Sequence, residues 1–197
     1  MWVSDLPPHI GHRVRPMPGE TVCGDACAVW MNDHRIILAV ADGLGHGPGA
    51  ADAADAVLQC INRQREQSCE ENFAECNRQL YGTRGAALAL AIIDSKSKQL
   101  TVATVGNIRA VLLTKNSERF LGGARGIVGA GFNNLIPETA DLATDDILML
   151  YSDGFNELLP WRDILLPNMD ATHIAANALS LWARDNDDAA MLIYRHP

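Results

Sequence analysis

Ile36-Ile37-Leu38-Ala39-Val40-Ala41-Asp42-Gly43-Leu44-Gly45-His46-Gly47-Pro48-Gly49 is the stretch on which the reading of this chain turns. Six apolar residues read as a buried strand. The aspartate and the glycines after it force a tight loop, because glycine supplies the positive-φ positions such a turn needs. From Ala50 the period becomes helical, with Ala50, Ala54, Val57 and Ile61 on one face. An apolar strand that stops on a carboxylate returns at Ile147-Leu148-Met149-Leu150-Tyr151-Ser152-Asp153-Gly154. Asp187-Asp188 stands just before the strand Ala189 to Arg195, and Gly24-Asp25 just before Ala26 to Trp30. Any one Asp-Gly is an ordinary turn. Several at the ends of rigid strands can converge at one sheet edge. A carboxylate cluster of that kind is unfavourable unless cations neutralise it. Oxygen ligands without histidine or cysteine suit Mg²⁺ or Mn²⁺ rather than zinc or copper.

The remaining elements read outward from these points. The first twenty residues, with four prolines, form an extended lead-in and an edge strand. A second helix begins at Ser68, with Glu71 completing a capping box and Cys69, Phe73, Cys76 and Leu80 as its buried stripe. Strands follow over Gly85 to Asp94, Gln99 to Val105 and Arg109 to Thr114, and Asn107 is read as shaping the turn between the last two. Gly122 to Gly131 holds five glycines and reads as a shaped loop. The last helix starts near Thr172, with Ile174, Ala178, Leu181 and Trp182 in register. This order does not alternate strand and helix, so it predicts an α+β domain of stacked antiparallel sheets flanked by helices rather than a parallel sheet. With no repeat and no linker, residues 1–197 are expected to form a single domain.

Composition narrows the function. The chain has 197 residues, is 48% hydrophobic and 20% charged, and carries 24 acidic against 16 basic residues for a net charge of −8. That field repels phosphate backbones, so nucleic acid is not an expected partner. No apolar run approaches the ~20 residues of a membrane span, and the N-terminus has no signal-peptide pattern, so a cytoplasmic protein that acts as a monomer is expected. The five cysteines, an odd number with no Cys-x-x-Cys pair, fit a reducing compartment and are read as core fillers. None has an arginine six residues on, so the cysteine-phosphatase loop is absent. His9 and His12, in the proline-rich lead-in, are read as exposed.

Gly19-Glu20-Thr21-Val22-Cys23-Gly24-Asp25, Asp42-Gly43-Leu44-Gly45-His46-Gly47, Ser152-Asp153-Gly154 and Asp187-Asp188 together resemble the ordered signature of the PPM-type serine/threonine phosphatases of the SpoIIE-like bacterial branch. Thr83-Arg84-Gly85-Ala86-Ala87 and Val105-Gly106-Asn107 add a resemblance to the RsbX-type stressosome phosphatases, as a bare catalytic domain. The resemblance implies an α-β-β-α sandwich, with pairs of helices outside two sheets, and two divalent cations, Mn²⁺ or Mg²⁺. It implies that Asp42 bridges both ions and that the Gly43 carbonyl helps hold the second. Asp153 and Asp187 would bind the first, and Asp25 would support the second directly or through water. Asp42 and Asp153 would thus carry catalysis through a metal-activated water that attacks phosphoserine or phosphothreonine in line, without a phosphoenzyme. The implied substrates are phosphorylated STAS-domain proteins of a stressosome or partner-switching pathway.

Some roles stay open at this level. Pattern does not separate Asp187 from Asp188 as ligand. His46 is a general acid or a cap for the helix at Ala50. Arg13, Arg15, Arg84 and Arg125 are candidates for holding phosphate. Two other classes compete with the enzyme. A silent binding module should have lost metal aspartates, and all four motif positions are present. A nucleotide-binding loop would need Gly-Lys-Ser/Thr, and the three lysines, Lys96, Lys98 and Lys115, lie elsewhere.

Overall fold

A computed structural model describes residues 6–165 and 169–197. Along the chain the elements are β1 (Ile10–Arg15), β2 (Asp25–Met31), β3 (Arg35–Gly43), α1 (Pro48–Arg63), α2 (Cys69–Gln79), β4 (Ala86–Asp94), β5 (Gln99–Val105) and β6 (Arg109–Leu113). Then come β7 (Glu118–Phe120), β8 (Gly126–Ile127), β9 (Gly131–Phe132), β10 (Glu138–Asp141), β11 (Ile147–Tyr151), a 3-10 turn at Trp161–Asp163, α3 (Ala171–Trp182) and β12 (Ala189–Arg195). One sheet has the order β1-β12-β11-β6-β7, the other β10-β5-β4-β3-β2, and both are antiparallel. The α+β sandwich expected from the element order is the fold found.

Three apolar clusters explain why the layers stack. Leu38, Val40, Ala89, Ala91, Leu148, Leu150, Ala190 and Leu192 fill the space between the sheets. Ile37, Ala39 and Ala41, the alternate residues of β3, face α1 and α2 instead, against Val57, Ile61, Phe73 and Cys76. Met149, Met191 and Ile193 face α3 on the other side, against Ile174, Ala175 and Ala178. Successive strand residues point to opposite faces. Strands buried on both faces therefore read as unbroken apolar runs.

The chain departs from the expected pattern in a few places. A pair of helices covers one sheet, but the described residues place one long helix and the 3-10 turn on the other. Leu181 is 64% exposed and drops out of the apolar stripe of α3, which continues through Leu179 to Trp182, edge-on to Trp161. His9 and His12 are half-buried rather than exposed, with His9 edge-on to the Tyr194 ring, and burial lowers the pKa of both. The short strands β7 and β10 and the β8–β9 hairpin within the Gly122 to Gly131 loop carry no apolar run long enough to signal them. Ser68 caps α2 with Glu71 in the expected capping box, and Cys27, Cys60, Cys69 and Cys76 are buried. Among the described residues, no helix is long and apolar enough to cross a membrane.

Candidate active site

Strand parity sends the acidic residues to one place. On β2, Asp25 has the parity of Cys27 and Val29; on β3, Asp42 has that of Leu38 and Val40. Both carboxylates thus face the space between the sheets, at its mouth. Asp25 and Asp42 are direct cross-strand partners. The neighbouring Gly43 N–H donates to the Gly24 carbonyl, so the two aspartates fall at the narrow, non-hydrogen-bonded position, where Cα atoms approach to about 4.5 Å. Like charges directly opposite on a strand pair are destabilising. Ser152 and Asp188, which share the inward parity of β11 and β12, complete the mouth from the other sheet.

Two glycines draw the loops together. A Cβ on Gly43 would lie 2.0 Å from the Ala50 carbonyl oxygen, so only glycine lets β3 end under the first turn of α1. A Cβ on Gly154 would lie 1.9 Å from the Asp188 carbonyl oxygen, so only glycine lets the turn after β11 meet the loop before β12. The Asp-Gly pairs therefore serve convergence as well as turning.

The result is a cleft of about 430 Å³ whose walls include Asp42, Leu44, His46, Asn107, Asp153 and Asp187. Burial, then the nearby charges of Asp25, Asp153 and Asp187, pushes the Asp42 carboxyl from 3.8 up to about 9. A hydrogen bond with Asp153 also favours its protonated form. Burial likewise pushes Asp25 up to about 7, against the Ser152 hydroxyl, which favours its charged form. Asp187 is raised by burial and by Asp153. Asp25 is only 5% exposed, and its Oδ2 is buried with no hydrogen-bond partner. An orphaned anionic oxygen among carboxylates is what a hard divalent cation would satisfy, so the donor set fits Mg²⁺ or Mn²⁺. Among the described residues, no three acidic, histidine or cysteine side chains already close on one point. Cations that keep several waters and take one or two carboxylates each do not need such a cage.

The structure separates Asp187 from Asp188. Asp187 lines the cleft. Asp188 is 2% exposed and its two oxygens accept from the Met17 N–H at 2.8 Å and the Gly24 N–H at 2.9 Å. It ties the segment between β1 and β2 to the start of β12. Asp188→Ala should therefore destabilise by about 2 kcal/mol or more, since it strands two backbone donors. Asp187→Asn should leave the metal-free melting temperature unchanged or higher while weakening divalent-ion binding. Thermal melts of both variants, with chelator and with Mg²⁺, check this; equal behaviour of the two would contradict it.

The remaining candidates fall at varying distances from the cleft. His46 does not cap α1: Gly47 is the N-cap, without a side-chain hydrogen bond. Its Nδ1 meets Glu20 Oε1 at 2.9 Å on the cleft rim. Arg84 lies along Gly45 and Gly49, its Nη1 3.4 Å from the Leu44 carbonyl. Arg125 is exposed just before Gly126 and Ile127, which line the cleft. Arg13 is exposed on β1 and donates to the His12 carbonyl, away from the cleft walls. Arg15 pairs with Asp185 at 3.6 Å and donates to the Arg184 carbonyl.

Two further contributors act on Asp153: Asn107, which the sequence marked only as a turn residue, and Arg184, which it did not mark at all. Asn107 Nδ2 donates to Asp153 Oδ2 at 2.5 Å, so it orients a carboxylate as well as shaping its turn. Arg184 donates to the Asp153 carbonyl at 3.2 Å and to Asn156 Oδ1, bracing the same loop. Nothing local marks their contacts with Asp153, which lies 46 and 31 residues away in the chain.

Comparison with known proteins gives this fold and cleft a class. The family model described as Stage II sporulation protein E (SpoIIE) matches residues 32–197, so the chain belongs to the SpoIIE family; Gly24-Asp25 lies just before the matched region. It is similar to the phosphoserine phosphatase RsbX of Bacillus subtilis (strain 168), with 31% identity over 102 residues. That match covers 52% of this chain and 51% of RsbX, about half of each. A solved structure from work on the bacterial stressosome, as a modular system adapted to control secondary messenger signalling, matches with a TM-score of 0.90 and 31% identity. It covers 95% of this chain and 98% of the other. The fold is also that of RsbX in complex with magnesium, with a TM-score of 0.84, 22% identity and 97% of each chain covered. The PP2C phosphatase domain of Bacillus subtilis SpoIIE shares it too, with a TM-score of 0.80 and 17% identity over 94% of this chain and 62% of that one.

Proposed function

We propose that this protein is a divalent-metal-dependent phosphoprotein phosphatase that hydrolyses phosphoserine or phosphothreonine on STAS-domain regulators of a stressosome or partner-switching pathway. The observation that carries the reading is the pairing of Asp25 with Asp42 across β2 and β3, facing Asp153 and Asp187 from the other sheet. Four carboxylates gathered at a cleft mouth, two of them held well above their ordinary pKa, make a site prepared for positive charge. Asp42, Asp25, Asp153, Asp187 and the Gly43 carbonyl would hold two cations, Mg²⁺ or Mn²⁺. When bound, such ions acidify water and offset the charge that develops on a phosphoryl group.

The chain's own side chains do the rest. Asn107 fixes the orientation of Asp153, and Asp188 and Arg184 hold the loops on which Asp187 and Asp153 stand. His46, held by Glu20 at the rim, would give a proton to a departing serine or threonine oxygen. Arg84 and Arg125 border the cleft and suit phosphate oxygens, whereas the position of Arg13 does not favour that role. The similarity to RsbX and to the stressosome structure supports the substrate class. Phosphate release from an intact phosphorylated STAS-domain protein, compared with a phosphoserine peptide, tests the substrate. A higher kcat/KM on the folded protein is expected. No preference for it would remove the STAS assignment.

A further inference from the structure

Behind the Asn107–Asp153 wall of the cleft lies a second groove, of about 200 Å³, with Arg109 and Arg184 in its lining. Asn107 and Asp153 belong to both cavities, so the two spaces share that wall. Arg109 opens β6 opposite Tyr151 on β11, and its Nη2 donates to Glu157 Oε1 at 3.0 Å. The Glu157 side chain is 71% exposed, and an ion pair with so exposed a partner contributes little to stability. The Tyr151 hydroxyl holds the Glu157 backbone carbonyl at 3.0 Å, leaving the carboxylate free to swing away. Among the described residues the Arg184 side chain hydrogen-bonds neutral acceptors, the Asp153 carbonyl and the Asn156 side chain, while its charge also acts on Asp187. Two guanidinium groups thus border a groove in which the carboxylate paired with Arg109 is displaceable. This occurs in a chain whose net charge of −8 would otherwise repel an acidic substrate.

We propose that this groove is a substrate subsite for an acidic side chain, with Glu157 occupying Arg109 until the substrate's own carboxylate replaces it. The proposal rests on the phosphatase reading above and adds to it a recognition element near the phosphoserine. An extended peptide advances about 3.3 Å per residue, so an acidic residue two or three positions from the phosphoserine spans the shared wall. Guanidinium–carboxylate bonding gives both strength and geometry to such a contact.

The test compares two labelled phosphoserine peptides, one with glutamates and one with glutamines at the second and third positions on either side. The wild-type protein should show kcat/KM about tenfold higher for the glutamate peptide at low salt, with the ratio shrinking at high salt. Arg109→Ala should bring the two peptides within about twofold of each other, the loss of one charged contact. Glu157→Gln, which leaves Arg109 in place but removes its competitor, should widen the ratio beyond wild type. Turnover of the glutamine peptide reports on the phosphatase reading alone. If neither peptide were hydrolysed, the phosphatase reading would pass to the assay on an intact phosphorylated STAS-domain protein, and the ratio of the peptides' affinities by fluorescence anisotropy would still decide the subsite. Equal treatment of the peptides by the wild type, or an unchanged ratio in Arg109→Ala, would overturn the proposal. Circular dichroism establishes that each variant is folded.

Discussion

Asp42→Asn is expected to lower phosphate release from a phosphoserine peptide by about three orders of magnitude or more, the scale of losing several kcal/mol of charge stabilisation. The same variant should melt at a higher temperature than wild type in chelator. Asp42 carries both effects because it is the most strongly perturbed carboxylate of the cluster, raised to about 9 by burial and by Asp25, Asp153 and Asp187. Holding an acid so far from its ordinary range costs folding free energy at neutral pH, where each tenfold change in proton affinity is worth about 1.4 kcal/mol. Asparagine keeps the shape and removes the charge. A gain of about 2 kcal/mol or more in metal-free stability is therefore expected, a trade of stability for function. Chelated melts and a phosphate-release assay on the same preparation check it. A variant that kept its activity, or melted lower than wild type without metal, would contradict the role of Asp42.

In chelator, stability should fall as pH rises from 7 to 9. Asp25, Asp42 and Asp187 all have folded pKa values raised above the unfolded value of 3.8. The folded state therefore binds more protons than the unfolded one. The stability this confers is complete below about pH 4 and is lost as pH rises through the folded values, about 7 for Asp25 and about 9 for Asp42. His9, His12 and His196 have lowered pKa values and act in the opposite sense, but only near and below 6.5. The histidines are silent from pH 7 to 9, whereas the buried thiols of Cys27, Cys69 and Cys76, also raised by their surroundings, add to the fall toward pH 9, so the carboxylate share is the part that divalent ions remove. Divalent cations bind deprotonated carboxylates, so their stabilisation should grow over the same window and flatten the pH dependence. Melting temperatures in EDTA and in Mg²⁺ at several pH values give the comparison. Parallel slopes in the two conditions would show that the cluster does not take up the metal.

The fold and the positions of the site aspartates were largely legible in the sequence, and the reasons are local. Asp42 and Asp153 each follow an apolar run and precede a glycine, and in each case that glycine is required by a backbone contact closer than any side chain permits. Asp187 and Asp188 were not separable. Ala189 to Tyr194 is apolar on both faces, which erases the alternation that would have shown Asp188 facing inward with Ala190 and Leu192. β7 and β10 went unread because strands of three and four residues at a sheet edge, each with a single apolar residue, have no periodicity to detect. Asn107 and Arg184 act on Asp153 from 46 and 31 residues away, a relation that only the folded chain displays.

Phosphate release from a phosphoserine peptide, followed as Mn²⁺ and then Mg²⁺ is titrated into chelated wild-type protein, tests the central claim most directly. The account predicts no turnover in chelator, saturable turnover as either ion is added, and its loss when chelator is restored. Hydrolysis at the same rate with and without divalent ions would contradict the assignment of the Asp25–Asp42–Asp153–Asp187 cluster as the metal-dependent centre. Absence of hydrolysis at every ion concentration, on the peptide and on an intact phosphorylated STAS-domain protein alike, would contradict the phosphatase activity itself.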